Sequence, residues 1–168
     1  MDILKTTLEW TKAEVFSSLF FVFFGIISIL AALGFWQLGK TDIAKAFILP
    51  TLVAGTLLLI LGIGLFFVNQ SRFKSFSESY YKEARTFVLD EINRTEKSMD
   101  EYEVAIFKVI PFIIVIAALL IVFVDKPIWR AICTTTIALM AIIMLIDNNA
   151  YARLESYNKE LELALEQQ

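Results

Sequence analysis

Four long apolar runs constrain the fold of this chain more than any other feature. They cover residues 15–39, 46–71, 109–124 and 131–146 of 168. The first two hold 25 and 26 residues without a charge, and the last two hold 16 residues each. About 20 apolar residues in a helix cross the hydrocarbon core of a bilayer. The sequence therefore predicts an all-α integral membrane protein, a four-helix bundle with amphipathic cytoplasmic helical extensions.

The composition argues against most catalytic and cofactor chemistry. Hydrophobic residues make up 58% of the chain, there is no His, and the single Cys, Cys133, lies within an apolar run. His is the commonest general base and metal ligand, and no HExxH, GxSxG, P-loop or CxxC motif occurs. The net charge is −3, without a basic block for nucleic acid. We expect no enzymatic activity, no metal, no cofactor and no nucleic-acid partner.

The distribution of Lys and Arg predicts the orientation in the membrane. Eleven of the 15 lie before the first run, between the second and third runs, or after the fourth, and four lie in the two short turns. Cytoplasmic loops carry the excess of positive side chains. We therefore expect both termini and the central segment in the cytoplasm, with the protein in a bacterial inner or plasma membrane. Trp10, Trp36 and Trp129 fall near the predicted interfaces, as in an aromatic belt.

Capping signals and apolar spacing divide the chain into five segments. Residues 1–12 form an N-terminal interfacial helix, or an early start of helix one, and residues 13–69 form the first transmembrane hairpin. Residues 70–97 continue helix two into the cytoplasm. The capping box Ser98-x-x-Glu101 places a reversal near Lys97–Ser98, so residues 98–147 form the second hairpin. Residues 148–168 form a cytoplasmic C-terminal helix.

Two pairs of charges border the second hairpin. Lys108 and Asp147 lie at equal depth at its inner end, and Asp125 and Arg130 flank its outer turn. Each pair has the spacing of an ion pair. One interpretation is that these charges define the membrane borders, with Lys108 snorkelling. The other is a gate or an ion pathway, because ionisable groups within membranes are often functional.

Hydroxyl side chains lie within three of the apolar runs. These residues are Ser28, Thr56, Thr134, Thr135 and Thr136. One interpretation is a polar pathway. The other is that the hydroxyl groups bond to their own helix and hold neighbouring helices together. Small residues also mark the runs and indicate close helix packing, within one chain or between copies.

An apolar stripe follows the second run at helical spacing and has to be buried somewhere. It comprises Phe73, Phe76, Tyr80, Phe87 and Ile92, and the C-terminal segment adds Leu154 and Leu161. The stripe is a candidate partner interface. Its partner is the C-terminal or N-terminal segment of the same chain, a second copy, or another protein.

Two functions remain ahead of the others. The first is a non-enzymatic, four-span membrane subunit that forms a homo-oligomer, or a complex with other membrane subunits, through its cytoplasmic helices. The alternative is an oligomeric pore or a membrane-permeabilising effector, and in layout alone the chain is similar to small membrane effectors of bacterial defence systems. A small transporter is the weakest of the three hypotheses, because inverted repeats and broken helices are not evident in the sequence.

Overall fold

The structure is a computed structural model and describes residues 3–166. It consists of six α-helices and one π-helical turn, without strands in that range. The elements are α1 (Ile3–Leu38), α2 (Asp42–Ala46), α3 (Ile48–Lys82), α4 (Ala84–Val104), the π turn (Ala105–Val109), α5 (Ile110–Phe123) and α6 (Pro127–Glu166). Four helical segments are long and apolar enough to cross a membrane, as predicted from the four runs. We call residues 15–39, 46–71, 109–124 and 131–146 the apolar half. The polar half is formed by the helical segments on the side of both termini, residues 3–14, 72–108 and 147–166.

The turn between the first two long helices is short because local signals end one helix and start the next. Thr and Asp are favoured helix caps, so the sequence predicts Thr41 or Asp42 at the start of the second long helix. The Thr41 side chain accepts a hydrogen bond from the Ala44 N–H at 3.1 Å and is the cap of α2. Pro50 has no N–H to donate to the carbonyl of Ala46. The α2–α3 boundary falls at Phe47, one turn before this proline.

The chain reverses at Glu83, not at Lys97–Ser98. Glu83 has extended backbone angles (φ −157°, ψ 94°) and separates α3 from α4. The predicted continuation of helix two to residue 97 is therefore wrong beyond Lys82. Ser98 and Glu101 lie inside α4, where backbone N–H groups already have helical partners, so a capping box has no function there.

Proline also explains the π turn. Pro111 lacks the N–H that would bond to the Phe107 carbonyl, and its ring crowds that carbonyl. The five residues before α5 widen into π geometry, and the Ile110 N–H bonds to the Ala105 carbonyl. This turn joins α4 to α5 without a break and changes the direction in which the neighbouring side chains point.

The two terminal segments are continuous with helices that are long and apolar enough to cross a membrane. α1 starts at Ile3, so the described part of residues 1–12 is the early start of helix one and not a separate interfacial helix. α6 runs for 40 residues through Asp147 and Asn149, so residues 148–166 extend the fourth apolar segment as one helix. Residues 1, 2, 167 and 168 lie outside the described part.

α1 and α3 form the closest helix pair because glycines remove side chains from their contact. A Cβ placed on Gly55 would lie 2.9 Å from the Gly25 carbonyl oxygen, and one on Gly62 would lie 2.8 Å from the Val22 nitrogen. Small residues permit such approach in membrane helices. α6 packs against α1, α3 and α5.

α5 lies at the edge of the helix assembly. Apart from the π turn that leads into it, α5 contacts only α6 in the described structure. The predicted bundle therefore consists of three mutually packed long helices with a fourth helix on one side.

Each half has its own core. In the apolar half, Phe21, Leu58 and Ile146 are buried together. In the polar half, α1, α4 and α6 bury a larger cluster, with part of α3 against it: Ile3, Trp10, Phe87, Val88, Leu154, Tyr157, Leu161 and Ala164.

Candidate functional site: a charged cavity between the two halves

The buried face of α1 is polar where the helix leaves the apolar half. Thr7, Thr11, Glu14 and Ser18 recur at helical spacing, and all four are buried. Thr7 and Thr11 donate to the carbonyls of Ile3 and Thr7, at 2.9 and 2.8 Å, so these hydroxyls are satisfied within the helix. Ile3 and Trp10 are buried beside them, whereas Phe16 and Phe20 on the other faces of the helix are exposed. The segment thus presents polar groups to the protein interior.

Two ion pairs lie in this interior, one between helices and one within a helix. The Glu14 carboxylate accepts hydrogen bonds from Nη2 and Nε of Arg153, at 2.9 and 3.1 Å, and so joins α1 to α6. Within α4, the Glu91 carboxylate pairs with Arg94 through two parallel bonds at 2.9 and 2.5 Å. Bidentate guanidinium–carboxylate pairs are strong and fix side-chain orientation.

Trp10 lies between an aromatic ring and a guanidinium. Its ring stacks on Tyr157 with centroids 4.9 Å apart, and Arg94 lies 5.0 Å from the Trp10 centroid. Arg72 lies 5.8 Å from the same ring. Trp10 is only 8% exposed, yet its Nε1–H has no acceptor. Trp10 therefore belongs to the interior of the polar half and not to an aromatic belt.

A hydrogen-bonded network links α1, α4 and α6 beside this stack. The Tyr157 hydroxyl lies 3.0 Å from Thr7 Oγ1 and 3.3 Å from Glu91 Oε1. The Thr95 hydroxyl contacts the amide oxygen of Asn158, whose nitrogen donates to Glu162 at 2.8 Å. Burial and the neighbouring Glu91 raise the pKa of Tyr157, so the phenol stays protonated and keeps its donor.

A cavity of about 120 Å³ lies where the four long helices leave the apolar half. Its polar lining comprises Trp10, Glu14, Ser17, Ser18, Asn69, Arg72, Arg94, Ser98, Tyr102 and Asp147. On the side of the apolar half, Phe21, Leu65 and Ile146 close it. Such a volume holds roughly four water molecules at about 30 Å³ each.

Two charged groups of the lining have no ion-pair partner. Arg72 donates to the Asn69 amide oxygen at 2.7 Å and pairs with no carboxylate in the described chain. Burial and the nearby Arg94 lower the pKa of Arg72. Asp147, just beyond the fourth apolar run, has neither a hydrogen bond nor an ion pair there, and burial together with Glu14 raises its pKa to about 6.

The pKa values of two further lining residues, Glu14 and Tyr102, are also raised. Burial raises the pKa of Glu14, although Arg153 opposes the shift. Burial, Glu14 and Asp147 raise the pKa of Tyr102 to about 12. Of the two charges without ion-pair partners, Arg72 thus lies beside Arg94, whereas Asp147 lies beside Glu14 and Tyr102.

No family model, characterised protein or solved structure matches this chain. Any assignment of function therefore depends on the residues and their geometry.

The structure forms one of the two expected charge pairs. Arg130 Nη2 lies 2.9 Å from Asp125 Oδ1 at the outer turn, where both side chains are largely exposed. The expected pair of Lys108 with Asp147 does not form. Lys108 lies in the π turn and is exposed, whereas Asp147 lines the cavity. Equal depth did not fix the direction of the side chains, because the π turn changes the rotation about the helix axis.

The hydroxyl residues are not brought together as one pathway. Ser28 and Thr56 donate to the carbonyls of Phe24 and Leu52 within their own helices, at 2.8 and 2.9 Å. Thr135 and Thr136 line an apolar groove of about 370 Å³ between α3 and α6, and Thr134 is exposed.

Most of the apolar stripe is covered by its own chain. Phe87, Leu154 and Leu161 are buried in the core of the polar half. Phe76, Tyr80 and Ile92 pack against that core, and the Phe87 ring lies 5.7 Å from Phe76 and 5.8 Å from Tyr80. Phe73 is half-buried. Of the alternatives for the stripe, the structure shows contacts with the N-terminal and C-terminal segments of the same chain.

Sequence reasoning did not find the charged cavity. The missed residues are Trp10, Glu14, Arg72, Glu91, Arg94, Tyr102, Arg153 and Tyr157. One signal was present: Thr7, Thr11, Glu14 and Ser18 form a polar stripe on one face of a helix whose other faces are rich in Phe. Within residues 3–166, no cluster of His, Cys, Asp and Glu has the arrangement of a metal site.

Proposed function

We propose that this chain is a non-enzymatic, four-span membrane subunit that works as a homo-oligomer or within a complex of membrane subunits. The apolar half spans a bacterial inner or plasma membrane, and the polar half, with both termini, lies in the cytoplasm. The four long apolar segments support the membrane location. The excess of Lys and Arg in the polar half supports the orientation.

The edge position of α5 is the observation that carries assembly. α5 contacts α6 alone among the other membrane-crossing helices, and its remaining faces expose large apolar side chains: Phe112, Val115, Leu119, Val122 and Phe123. In lipid, close packing between helices replaces the hydrophobic effect as the driving force. A second copy, placed against α5, supplies the packing that the single chain does not.

The cytoplasmic apolar stripe is not free to form the interface between copies, because the chain buries it in its own core. The stripe that includes Phe76 and Phe87 is part of the intramolecular core. Exposed apolar residues of the polar half, such as Tyr81, Leu89 and Leu163, are separate in sequence. We therefore propose the α5 face as the interface, in place of the cytoplasmic stripe that the sequence favours.

Cysteine crosslinking in native membranes tests this interface. In a Cys133→Ser background, which removes the single buried thiol, Val115→Cys and Leu119→Cys place thiols on exposed positions of α5. Disulfide-linked dimers are expected from these variants and not from Phe23→Cys or Ile60→Cys, exposed positions on α1 and α3. Equal crosslinking at all four sites, or none at α5, would contradict an α5 interface.

A pore is the second candidate, favoured by the charged cavity on the cytoplasmic side. The cavity meets Phe21 and Ile146, which pack with Leu58 in the apolar core. Apolar constrictions of this kind gate channels by excluding water. Ion flux from liposomes should be low for the unmodified protein and should rise for Ile146→Ser if this constriction is a gate. If liposomes with that variant remain impermeable to ions, the pore is contradicted and only the subunit proposal remains.

A further inference from the structure

Three polar groups of the cavity lining lack a partner of a particular kind: Trp10 Nε1–H has no acceptor, and Arg72 and Asp147 have no ion-pair partner in the described chain. The Trp10 Nε1–H and the Arg72 guanidinium need an acceptor, preferably an anion. The Asp147 carboxylate needs a donor or a cation. Buried polar groups in folded proteins are normally hydrogen-bonded, so the unpaired Trp10 Nε1–H, together with two charges of opposite sign that lack ion-pair partners, indicates a polar occupant.

The charge balance of the site narrows the kind of occupant. Two guanidinium groups and two carboxylates line the cavity, those of Arg72, Arg94, Glu14 and Asp147. Arg94 and Glu14 are already neutralised by Glu91 and Arg153, which lie outside the lining. A bound anion would leave this buried set with excess negative charge, and a bound cation would leave it with excess positive charge. A neutral occupant with separated charges avoids both costs.

The arrangement of the charges also matches a dipolar occupant. Arg72 lies beside Arg94 and the Trp10 ring, whereas Asp147 lies near Glu14 and Tyr102. The two charges without ion-pair partners thus have different surroundings, Arg72 beside a second guanidinium and Asp147 beside a second carboxylate. Its volume of about 120 Å³ suits a molecule with few heavy atoms.

We propose that the cavity binds a small zwitterion of the amino-acid class. The carboxylate of the ligand accepts hydrogen bonds from Arg72 and from Trp10 Nε1. The ammonium group of the ligand donates to Asp147. Ser17 and Ser18 of α1 and Ser98 of α4 line the space between. Binding is non-covalent and does not require assembly through α5.

Trp10 itself provides the measurement. In a Trp36→Phe and Trp129→Phe background, Trp10 is the only remaining tryptophan. The full-length protein in nanodiscs is titrated with glycine, β-alanine and 4-aminobutyrate, and then with acetate and methylammonium as the separate halves of a zwitterion. We expect a saturable change in Trp10 emission with at least one zwitterion and none with acetate or methylammonium. Equilibrium dialysis with radiolabelled zwitterions checks the result independently of fluorescence.

Variants of Arg72 and Asp147 distinguish a zwitterion site from a site for a simple ion. Arg72→Gln and Asp147→Asn should each weaken zwitterion binding by about tenfold or more, since each removes a charge-assisted hydrogen bond. Lys74→Gln on α3 and Asp100→Asn on α4, at exposed positions outside the cavity lining, should bind as the parent does. Thermal melting checks that all four variants are folded.

Two results would overturn the proposal. Acetate that binds as tightly as glycine and is indifferent to Asp147→Asn would make the cavity a simple anion site. No binding of any of the three zwitterions by either method would leave the cavity filled by water.

Discussion

The carboxylate of Glu14 on α1 accepts two hydrogen bonds from the guanidinium of Arg153 on α6, at 2.9 and 3.1 Å, across 139 residues of sequence. The Glu14 side chain is 11% exposed and that of Arg153 is 31% exposed. The pair ties the first helix to the last at the level where both leave the apolar half. It also closes one side of the network around the cavity.

Removing Arg153 should destabilise the protein, because it leaves the buried Glu14 carboxylate without its partner. For Arg153→Met we expect a loss of about 2 kcal/mol in the free energy of unfolding, visible as a lower thermal midpoint in detergent. Lys159→Met is the matched control, since its pair with Glu155 is largely exposed, and should leave the thermal midpoint unchanged. Equal effects of the two changes would show that the Glu14 pair is not important for stability.

The stability of the protein should depend on pH through Asp147. The folded protein raises the pKa of this carboxyl from 3.8 to about 6, so it binds the proton more tightly than the unfolded chain. Stability is therefore greatest with the carboxyl protonated and falls as the pH rises from about 4 to 6.

Replacing Asp147 by Asn removes the titrating group and should flatten this part of the pH profile. At pH 7 we expect Asp147→Asn to be more stable than the parent by about 1–2 kcal/mol. Glu14 titrates in both proteins, with its pKa also raised, so the difference between the two profiles reports on Asp147. Thermal midpoints measured from pH 4 to 7.5 check the prediction, and parallel profiles would contradict it.

Alanine substitutions at two glycines of α3 should differ in their effect on stability, because only one of these glycines lies in the contact with α1. A Cβ at Gly62 would meet Val22 and Phe21 at 2.8–2.9 Å, whereas one at Gly64 would meet nothing within 4 Å. We expect Gly62→Ala to cost about 1–3 kcal/mol by overpacking. Gly64→Ala should be neutral or stabilising by up to about 1 kcal/mol, because Ala favours the helix. Thermal unfolding of the two variants side by side tests the pair, and similar midpoints would mean that the helices separate at no cost.

The hydroxyl of Tyr157 should contribute to stability apart from its ring. Tyr157→Phe keeps the stack on Trp10 but loses the contacts with Thr7 and Glu91. We expect a loss of about 1 kcal/mol. Tyr81→Phe, at a position that is 78% exposed, is the control and should have no measurable effect. A neutral Tyr157→Phe would show that water replaces the hydroxyl.

Local sequence signals predicted what depends on neighbouring residues. The four apolar segments and the cap at Thr41 follow from composition and from residues within one helical turn. The reversal at Glu83 could not be predicted, because no Gly or Pro marks it and the Ser98 capping box gave a competing signal. Helix four of the prediction ended near Asp147, but tertiary packing in the polar half continues it to Glu166.

The cavity was missed for a related reason. Arg72, Arg94 and Arg153 counted as positive charges for orientation, and nothing local indicated that their guanidinium groups face inward. Lys108 and Asp147 were placed at the correct depth but not in contact, because depth follows from counting residues and rotation does not.

The sequence by itself determined that this chain is helical and has four segments able to cross a membrane, because length and apolarity are local properties of the chain. Only the tertiary structure decided which charges meet, where the polar face of α1 is buried, and which helix remains at the edge. Those outcomes depend on the rotation of each helix about its axis and on contacts such as Glu14 with Arg153, which join residues far apart in the sequence.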